Sequence, residues 1–270
     1  MFIPGLNKYF KIMLILLVII PVSMVSLWRS DASMEPHVNA STRPSLEKNI
    51  SEKEHRNGYG AFIRKLSARN TPQVIADKQE IAEVVLNFAW RDQGRWDDLR
   101  TLFHPDGIIQ ITWYNGDFNG FVDASMRMAE SIGSLVKHFF GMPRIVVRGS
   151  RAVSETDVVI LSRGRIGPVE IDVTSYCRFY DLFEKRKGIW KVCRRTAIYE
   201  KDRIDPVYPS LLFWLAAMFA NFDKYPAQCR HLAYGLKKKG HPLQRGVVVN
   251  GSREERELYR EGMDWLSGKK

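Results

Sequence analysis

The spacing of apolar residues changes along the middle of the chain from helical to alternating, and this change predicts the order of the elements. Between residues 72 and 103, apolar positions recur at helical spacing in two stretches separated by a polar turn around Gly94, so two helices are expected. The His-Pro-Asp-Gly sequence at residues 104–107 is a turn signal that leads into a predicted strand from Ile108 to Tyr114. The segment from Phe118 to His138 has helical spacing again and predicts a third helix.

Beyond this third helix the chain is dominated by β-branched and aromatic residues in stretches that turn signals separate. The predicted strands are Ile145–Val147, Ala152–Arg163, Val169–Phe183 and Trp190–Glu200. Apolar and polar residues alternate along the longest of them. The apolar set, which should face the helices and any cavity, is Ile171, Val173, Cys177 and Phe179. Helices followed by an antiparallel meander predict an α+β domain in which helices pack on one face of a curved sheet.

The two ends of the chain differ from this middle part. An apolar, nearly uncharged stretch from Ile12 to Trp28 predicts a signal anchor or a signal peptide over residues 1–28, and an uncleaved anchor is favoured because no small-residue cleavage site is apparent. Residues 29–71 are polar with scattered prolines and predict a flexible linker. We therefore place the folded domain at residues 72–205 and a helical C-terminal extension, packed over the domain or across a dimer, at residues 206–270.

Charge and cysteine content narrow the classes of partner. The formal net charge is +11, but lysines and arginines are spread along the chain and only Lys237–Lys239 form a run, so nucleic acid is not an expected partner. Asn39, Asn49 and Asn250 each begin an Asn-x-Ser sequon, which suits a single-pass membrane-anchored protein whose domain is lumenal or extracellular. The three cysteines lack metal-ligand spacing and indicate neither a disulfide framework nor a zinc site.

Short motifs spread over residues 72–200 resemble the SnoaL-like branch of the nuclear-transport-factor-2 superfamily, which includes scytalone dehydratase, polyketide cyclases and relatives of ketosteroid isomerase. The motifs are RDQGRWDDL at residues 91–99, FHPDG at 103–107, KHFFG at 137–141, RFY at 178–180 and GIWKV at 188–192. The resemblance implies a cone-shaped curved antiparallel sheet with helices packed on its concave side, and an open end that holds an apolar ligand. It also implies a homodimer formed through the outer face of the sheet, as superfamily members commonly form.

Two residues match the positions at which the resembling dehydratase keeps a pocket carboxylate and a catalytic histidine. They are Asp92 and His138. A carboxylate that accepts a hydrogen bond from one imidazole nitrogen fixes the tautomer and raises the basicity of the other nitrogen, which gives a proton shuttle near neutral pH. Two simpler interpretations stay open: Asp92 as part of a polar helix-ending turn, and His138 as a cation at a helix C-terminus. His104 and His231 are interpreted as a turn residue and as a packed or surface residue.

Other positions depart from the dehydratase pattern. Counting without gaps from His138 places Arg163 where the dehydratase has a second histidine, and an inward-pointing arginine there would hold an enolate or a carboxylate. Arg91 and Ile111 stand where the dehydratase has two tyrosines, although two aromatic residues follow on the same strand. The expected substrate-binding residues are Arg163, Trp113 and Tyr114.

These observations predict a cofactor-independent lyase, isomerase or cyclase that acts on a small apolar carbonyl compound, polyketide- or terpenoid-like, by proton transfer between His138, Asp92 and the substrate. The sequence contains no Gly-rich phosphate loop, no Gly-x-Ser-x-Gly elbow and no His-Glu-x-x-His helix, so neither a cofactor nor a metal is implied. The alternative is a non-catalytic member that uses the same fold to bind a lipophilic ligand or a protein partner.

Overall fold

The computed structural model describes residues 71–132 and 136–268 of the chain. The predicted anchor at residues 1–28 and nearly all of the predicted linker lie outside the described residues, so both stay predictions. Within the described ranges, no helix is both long and apolar enough to cross a lipid bilayer.

The elements of the described residues follow one another in an α+β order. The helical part begins with α1 (Pro72–Leu86), a 3-10 helix (Asn87–Gln93) and α2 (Trp96–Arg100). It continues with β1 (Phe103–Gln110), β2 (Asn115–Asp117) and α3 (Phe118–Ile132). The strands of the sheet are β3 (Val136–Phe140), β4 (Arg144–Arg148), β5 (Arg151–Ile166), β6 (Val169–Arg186) and β7 (Ile189–Pro206). The C-terminal extension contains α4 (Leu211–Met218), a 3-10 turn (Phe222–Lys224), α5 (Arg230–Lys238), β8 (Val248–Val249) and α6 (Arg253–Ser267).

These strands form one sheet in the order β2-β1-β7-β6-β5-β3, with β4 also paired to β5 and β8 to β7. The hairpin between β6 and β7 turns at Lys187 and Gly188, whose φ angles of 52° and 82° suit a two-residue hairpin turn. The expected antiparallel sheet is wrong at two places, because β1 and β8 run parallel to β7. Strand β1 is far from β7 in sequence, and helices lie between β7 and β8. Neither strand is joined to β7 by a tight turn that would force an antiparallel arrangement.

The predicted third helix is too long at its C-terminal end. The helix stops at Ile132, and His138 lies in strand β3 opposite Ile160 of β5. Residues Val136 to Phe140 alternate between half-buried and exposed positions, so the pairing with β5 overrides their helical spacing. The interpretation of His138 as a cation at a helix C-terminus is therefore wrong.

The sheet has a core on each face. The inner face of β6 packs against α1 and α3, and the prediction that Ile171, Val173, Cys177 and Phe179 point this way is confirmed. The outer face carries a second cluster in which α6 covers Tyr180 and Leu182 of β6. The C-terminal extension contributes to both faces: α4 and α5 join the inner core, and α6 lies on the opposite face.

A buried polar network fixes α6 to this outer face. The Arg178 guanidinium of β6 donates hydrogen bonds to five side chains on neighbouring strands, on α6 and on the loop before it, namely Glu155, Glu200, Glu255, Asn250 and Tyr259. Close packing also requires glycine at position 262, because a Cβ there would overlap the Tyr180 hydroxyl and lie 2.8 Å from its Cζ. In this chain α6 therefore occupies outer-face surface through which the resemblance implied a dimer.

Candidate active site

An apolar cavity of about 280 Å³ lies on the inner face of the sheet. Its walls come from β3, β5, β6 and β7, from the helical N-terminal part and from α5 of the C-terminal extension. Most of the lining is aliphatic or aromatic, including Phe88, Ile111, Trp113, Ile160, Ile171 and Phe179. The cavity has the character of a site for a small apolar molecule, since such sites are concave and largely apolar with a few placed polar groups.

Asp92 and His138 meet at this cavity through two hydrogen bonds. The His138 ring donates from Nδ1 to Oδ1 of Asp92 at 2.8 Å, and the main-chain N–H of His138 donates to Oδ2 at 2.6 Å. Because an ionised carboxylate can only accept, the ring must carry its proton on Nδ1, which leaves Nε2 as the basic nitrogen. His138 lines the cavity, so the sequence-based expectation of an acid and an imidazole in an apolar hollow describes the observed geometry.

Local structure positions the two partners. Asp92 lies in the 3-10 helix that follows α1, and Gly94 ends that helix in the left-handed conformation with a φ of 69°. His138 is in the middle of β3, at the end of the sheet order, so its main-chain N–H is available to Asp92. The side chains of Asp92 and His138 are 2% and 8% exposed, so water competes little for their hydrogen bonds.

Burial and mutual contact set the charge states of the two groups. Burial lowers the pKa of the His138 imidazole, and the opposing effect of the Asp92 carboxylate does not restore it. Burial by itself would raise the pKa of Asp92, but hydrogen bonds from His138 outweigh it and hold that pKa below its usual range. At neutral pH the site therefore holds a carboxylate and a neutral imidazole, which is the protonation state of a general base.

Arg91 is a buried cationic residue of the cavity lining. Its side chain is 11% exposed and lines the cavity, with Nη1 3.7 Å from Oδ1 of Asp92. The Nη2 group contacts the Met128 sulfur at 4.0 Å, and the guanidinium lies 5.9 Å from the centre of the Phe121 ring. Burial lowers the pKa of Arg91 against the opposing effect of Asp92. Arg91, which stands where the resembling dehydratase has a tyrosine, therefore places a positive charge beside His138.

Two of the three expected substrate-binding residues have different surroundings from those predicted. Arg163 is among the lining residues, but its guanidinium donates two bonds of 2.8 Å to Asp172 of the neighbouring strand and is 41% exposed. It does not point into the hollow, because the inward positions of β5 are the even-numbered ones such as Ile160. Trp113 lines the cavity as expected, whereas Tyr114 packs behind it against Phe121 and is not part of the lining.

Sequence reasoning missed several polar residues of the cavity lining, among them Tyr199 and His231. Tyr199 of β7 is 2% exposed, and its hydroxyl contacts the main-chain N–H and the hydroxyl of Thr112, each at 3.1 Å. Alternation along β7 could have indicated it as inward-facing. His231 of α5, interpreted above as a packed or surface residue, also lines the cavity. Within residues 71–132 and 136–268, no three His, Cys, Asp or Glu side chains are grouped so as to hold a metal ion.

Comparisons with known proteins identify the family of the chain. Residues 73–196 match the model of the SnoaL-like domain family. Pea pathogenicity protein 2 of Fusarium vanettenii is 30% identical over 197 residues, which cover 67% of this chain and 81% of that protein. A PEP2-like protein of the same fungus is 28% identical over 197 residues, with the same coverage. The chain belongs to the SnoaL-like family.

Two solved structures are similar to part of the chain at low sequence identity. A putative scytalone dehydratase from Novosphingobium aromaticivorans is 14% identical with a TM-score of 0.41, covering 50% of this chain and 91% of that one. A nuclear-transport-factor-2-like protein with a cystatin-like fold from the same organism is 18% identical with a TM-score of 0.37, covering 53% of this chain and 90% of that one.

Proposed function

We propose that the protein is a cofactor-independent lyase, isomerase or cyclase that acts on a small apolar carbonyl compound by proton transfer. The observation that carries the proposal is the Asp92–His138 pair, in which a neutral imidazole bonded to a buried carboxylate lines an apolar cavity. A compact polyketide- or terpenoid-like ketone suits a cavity of about 280 Å³ with this lining.

In the proposed reaction, Nε2 of His138 removes a proton from the carbon next to the substrate carbonyl. The C–H electron pair forms a carbon–carbon double bond and leaves the negative charge on the carbonyl oxygen as an enolate. Asp92 stabilises the imidazolium, and Arg91 supplies positive charge for the enolate, since preorganised charge is strong at a buried position. The enolate then takes a proton at another carbon, expels a β-hydroxyl or attacks a second carbonyl, which gives isomerisation, elimination or cyclisation.

The second candidate is a protein that binds a lipophilic ligand without transforming it. One observation favours this alternative: Arg163, at the position of the dehydratase's second histidine, is committed to Asp172 and offers no base to the cavity. Arg91 and Ile111 also line the cavity, and they stand where the resembling dehydratase has two hydrogen-bonding tyrosines. A binder would retain its ligand affinity when His138 is replaced and would show no proton transfer.

Exchange of α-protons in heavy water tests the proposed function without knowledge of the natural substrate. We expect the wild-type protein to accelerate deuterium incorporation at the α-carbon of α-tetralone, a compact aryl ketone, as followed by mass spectrometry. His138→Asn keeps a donor for Asp92 but lacks Nε2, so it should lower the rate by about 10²- to 10⁴-fold. His104→Gln is the matched control. His104 is buried with its Nε2 atom 2.9 Å from the main-chain oxygen of Glu184, and it does not line the cavity. Equal exchange rates in wild type and His138→Asn would refute the proposal.

The same exchange reaction should keep its rate well into mildly acidic conditions. The reactive form of His138 is the neutral one, and burial lowers the pKa of this imidazole below its ordinary value of 6.5. As pH falls, the folded protein therefore retains the base until below that value, and the midpoint of the acid limb should lie under pH 6.5. A rate profile of the wild-type protein measures this midpoint. A midpoint above the ordinary histidine value would contradict the assigned environment.

A further inference from the structure

The described residues contain a second aspartate–histidine pair built like the first. His231 donates from Nδ1 to Oδ1 of Asp202 at 2.8 Å, and its main-chain N–H donates to Oδ2 at 2.7 Å. The corresponding distances for His138 and Asp92 are 2.8 Å and 2.6 Å. In both pairs one carboxylate therefore binds the ring and the backbone of the same histidine, which fixes the orientation of the ring.

This second pair belongs to the same cavity but comes from a different part of the chain. His231 is in the first turn of α5, in the C-terminal extension, and lines the cavity together with His138. Asp202 is on β7 with its side chain 0% exposed, and it also accepts a bond from the Leu232 main chain at 2.8 Å. The ring packs edge-on against Phe222 at 4.8 Å between centroids. Because Nδ1 is occupied by Asp202, Nε2 is the ring nitrogen left for a ligand.

We infer that His231 is a second acid–base residue of this cavity, oriented by Asp202 and supplied by the C-terminal extension. This inference rests on the proposed function and narrows it to reactions in which one group removes a proton and another delivers one. Elimination of water from a β-hydroxyketone is the simplest reaction of this class.

The proposed elimination balances in atoms and charge. Neutral His138 takes the α-proton on Nε2, and the C–H electron pair forms the enolate. Protonated His231 gives its Nε2 proton to the β-hydroxyl as the carbon–oxygen bond breaks, so that one water and one enone leave. The net result on the protein is one proton moved from His231 to His138. The His231 side chain is 20% exposed, against 8% for His138, so water has access to the His231 ring. Exchange with water can then return a proton to His231 and remove one from His138 before the next turnover.

Two probe reactions separate the roles of the two histidines. Deuterium exchange of α-tetralone needs only the base, whereas dehydration of the β-hydroxy derivative of α-tetralone to α-naphthol needs both the base and the acid. His231→Asn keeps a donor for Asp202 but lacks Nε2, so we expect dehydration to fall by about 10²- to 10⁴-fold and to fall far more than exchange does. His138→Asn should lose both reactions. Fluorescence of α-naphthol and mass spectrometry of α-tetralone provide the two readouts.

Far-ultraviolet circular dichroism and urea denaturation show whether the variant has kept its fold. If His231→Asn does not fold, His231→Gln takes its place. Either variant, once folded, decides whether His231 acts as the acid. Wild-type dehydration rates in a folded His231 variant would overturn the inference while leaving the proposed function intact. Equal loss of exchange and dehydration in a folded variant would overturn the separate roles. If the wild-type protein accelerated neither exchange nor dehydration, the proposed function would be overturned, and the inference with it.

Discussion

Replacing Asp92 by asparagine is expected to lower the rate of α-proton exchange by about 10²- to 10⁴-fold. The reason lies in the two bonds that this side chain accepts. The His138 main-chain N–H needs an acceptor, so the amide oxygen of asparagine would take that bond and the amide NH₂ would face Nδ1 of the ring. The imidazole would then carry its proton on Nε2, where the base should be. In serine-protease triads the equivalent carboxylate-to-amide change costs about 10⁴-fold.

Asp98→Asn provides the matched control for this prediction. Asp98 lies on α2, six residues after Asp92, but its side chain is 47% exposed and pairs with Arg95. Its replacement removes the same charge without altering the histidine, so exchange should stay at the wild-type rate. If Asp92→Asn exchanged α-protons as fast as Asp98→Asn, the carboxylate would have no role in orienting the base.

Replacing Arg195 by methionine is expected to lower the free energy of unfolding by about 3–5 kcal/mol. Arg195 of β7 donates two bonds, of 2.8 Å and 2.7 Å, to Asp181 of β6, and the two side chains are 1% and 0% exposed. The guanidinium also lies 4.5 Å from the ring centres of both Phe88 and Phe179, two residues of the cavity wall. Without Arg195 the Asp181 charge would remain buried and unpaired, which is more costly than never having the pair. Urea denaturation measures the loss.

Two further variants isolate the effect of burial. Arg163→Met removes an arginine with the same bidentate geometry toward Asp172, but both side chains of this pair are more than 40% exposed, so little change in stability is expected. Asp181→Leu combined with Arg195→Met removes both buried charges and should recover much of the lost stability. If Arg195→Met and Arg163→Met were equally stable, the buried pair would not support the cavity wall.

The sequence predicted the class of fold and the two central residues of the site for identifiable reasons. Alternation along β6 was sufficient to place Ile171, Val173 and Phe179 on the cavity side, because a strand offers only two faces. The resemblance predicts that Asp92 and His138 lie together, and they are hydrogen-bonded although helical spacing predicts a helix at His138. Short motifs mark a position in the fold independently of the local element. The same alternation places Asp181 on the inward face and could have indicated a buried carboxylate.

The remaining features of the site depend on register and on long-range packing. Counting residues from His138 places Arg163 at the position of the dehydratase's second histidine, but the count does not fix the direction of the side chain. Whether a strand residue points in or out changes with every single position. Its partner Asp172 is directly opposite in the β5–β6 register, which no local pattern displays. The pairing of His231 with Asp202 likewise joins an extension helix to a distant strand position. Periodicity within either segment contains no information about this contact.

The protein's proposed chemistry depends most directly on the protonation of one ring. In protein labelled with ¹⁵N at histidine, NMR at neutral pH should show His138 as a neutral imidazole with its proton on Nδ1 and a bare Nε2, and Asp92→Asn should move that proton to Nε2. An imidazolium, or a wild-type ring protonated on Nε2, would contradict the account.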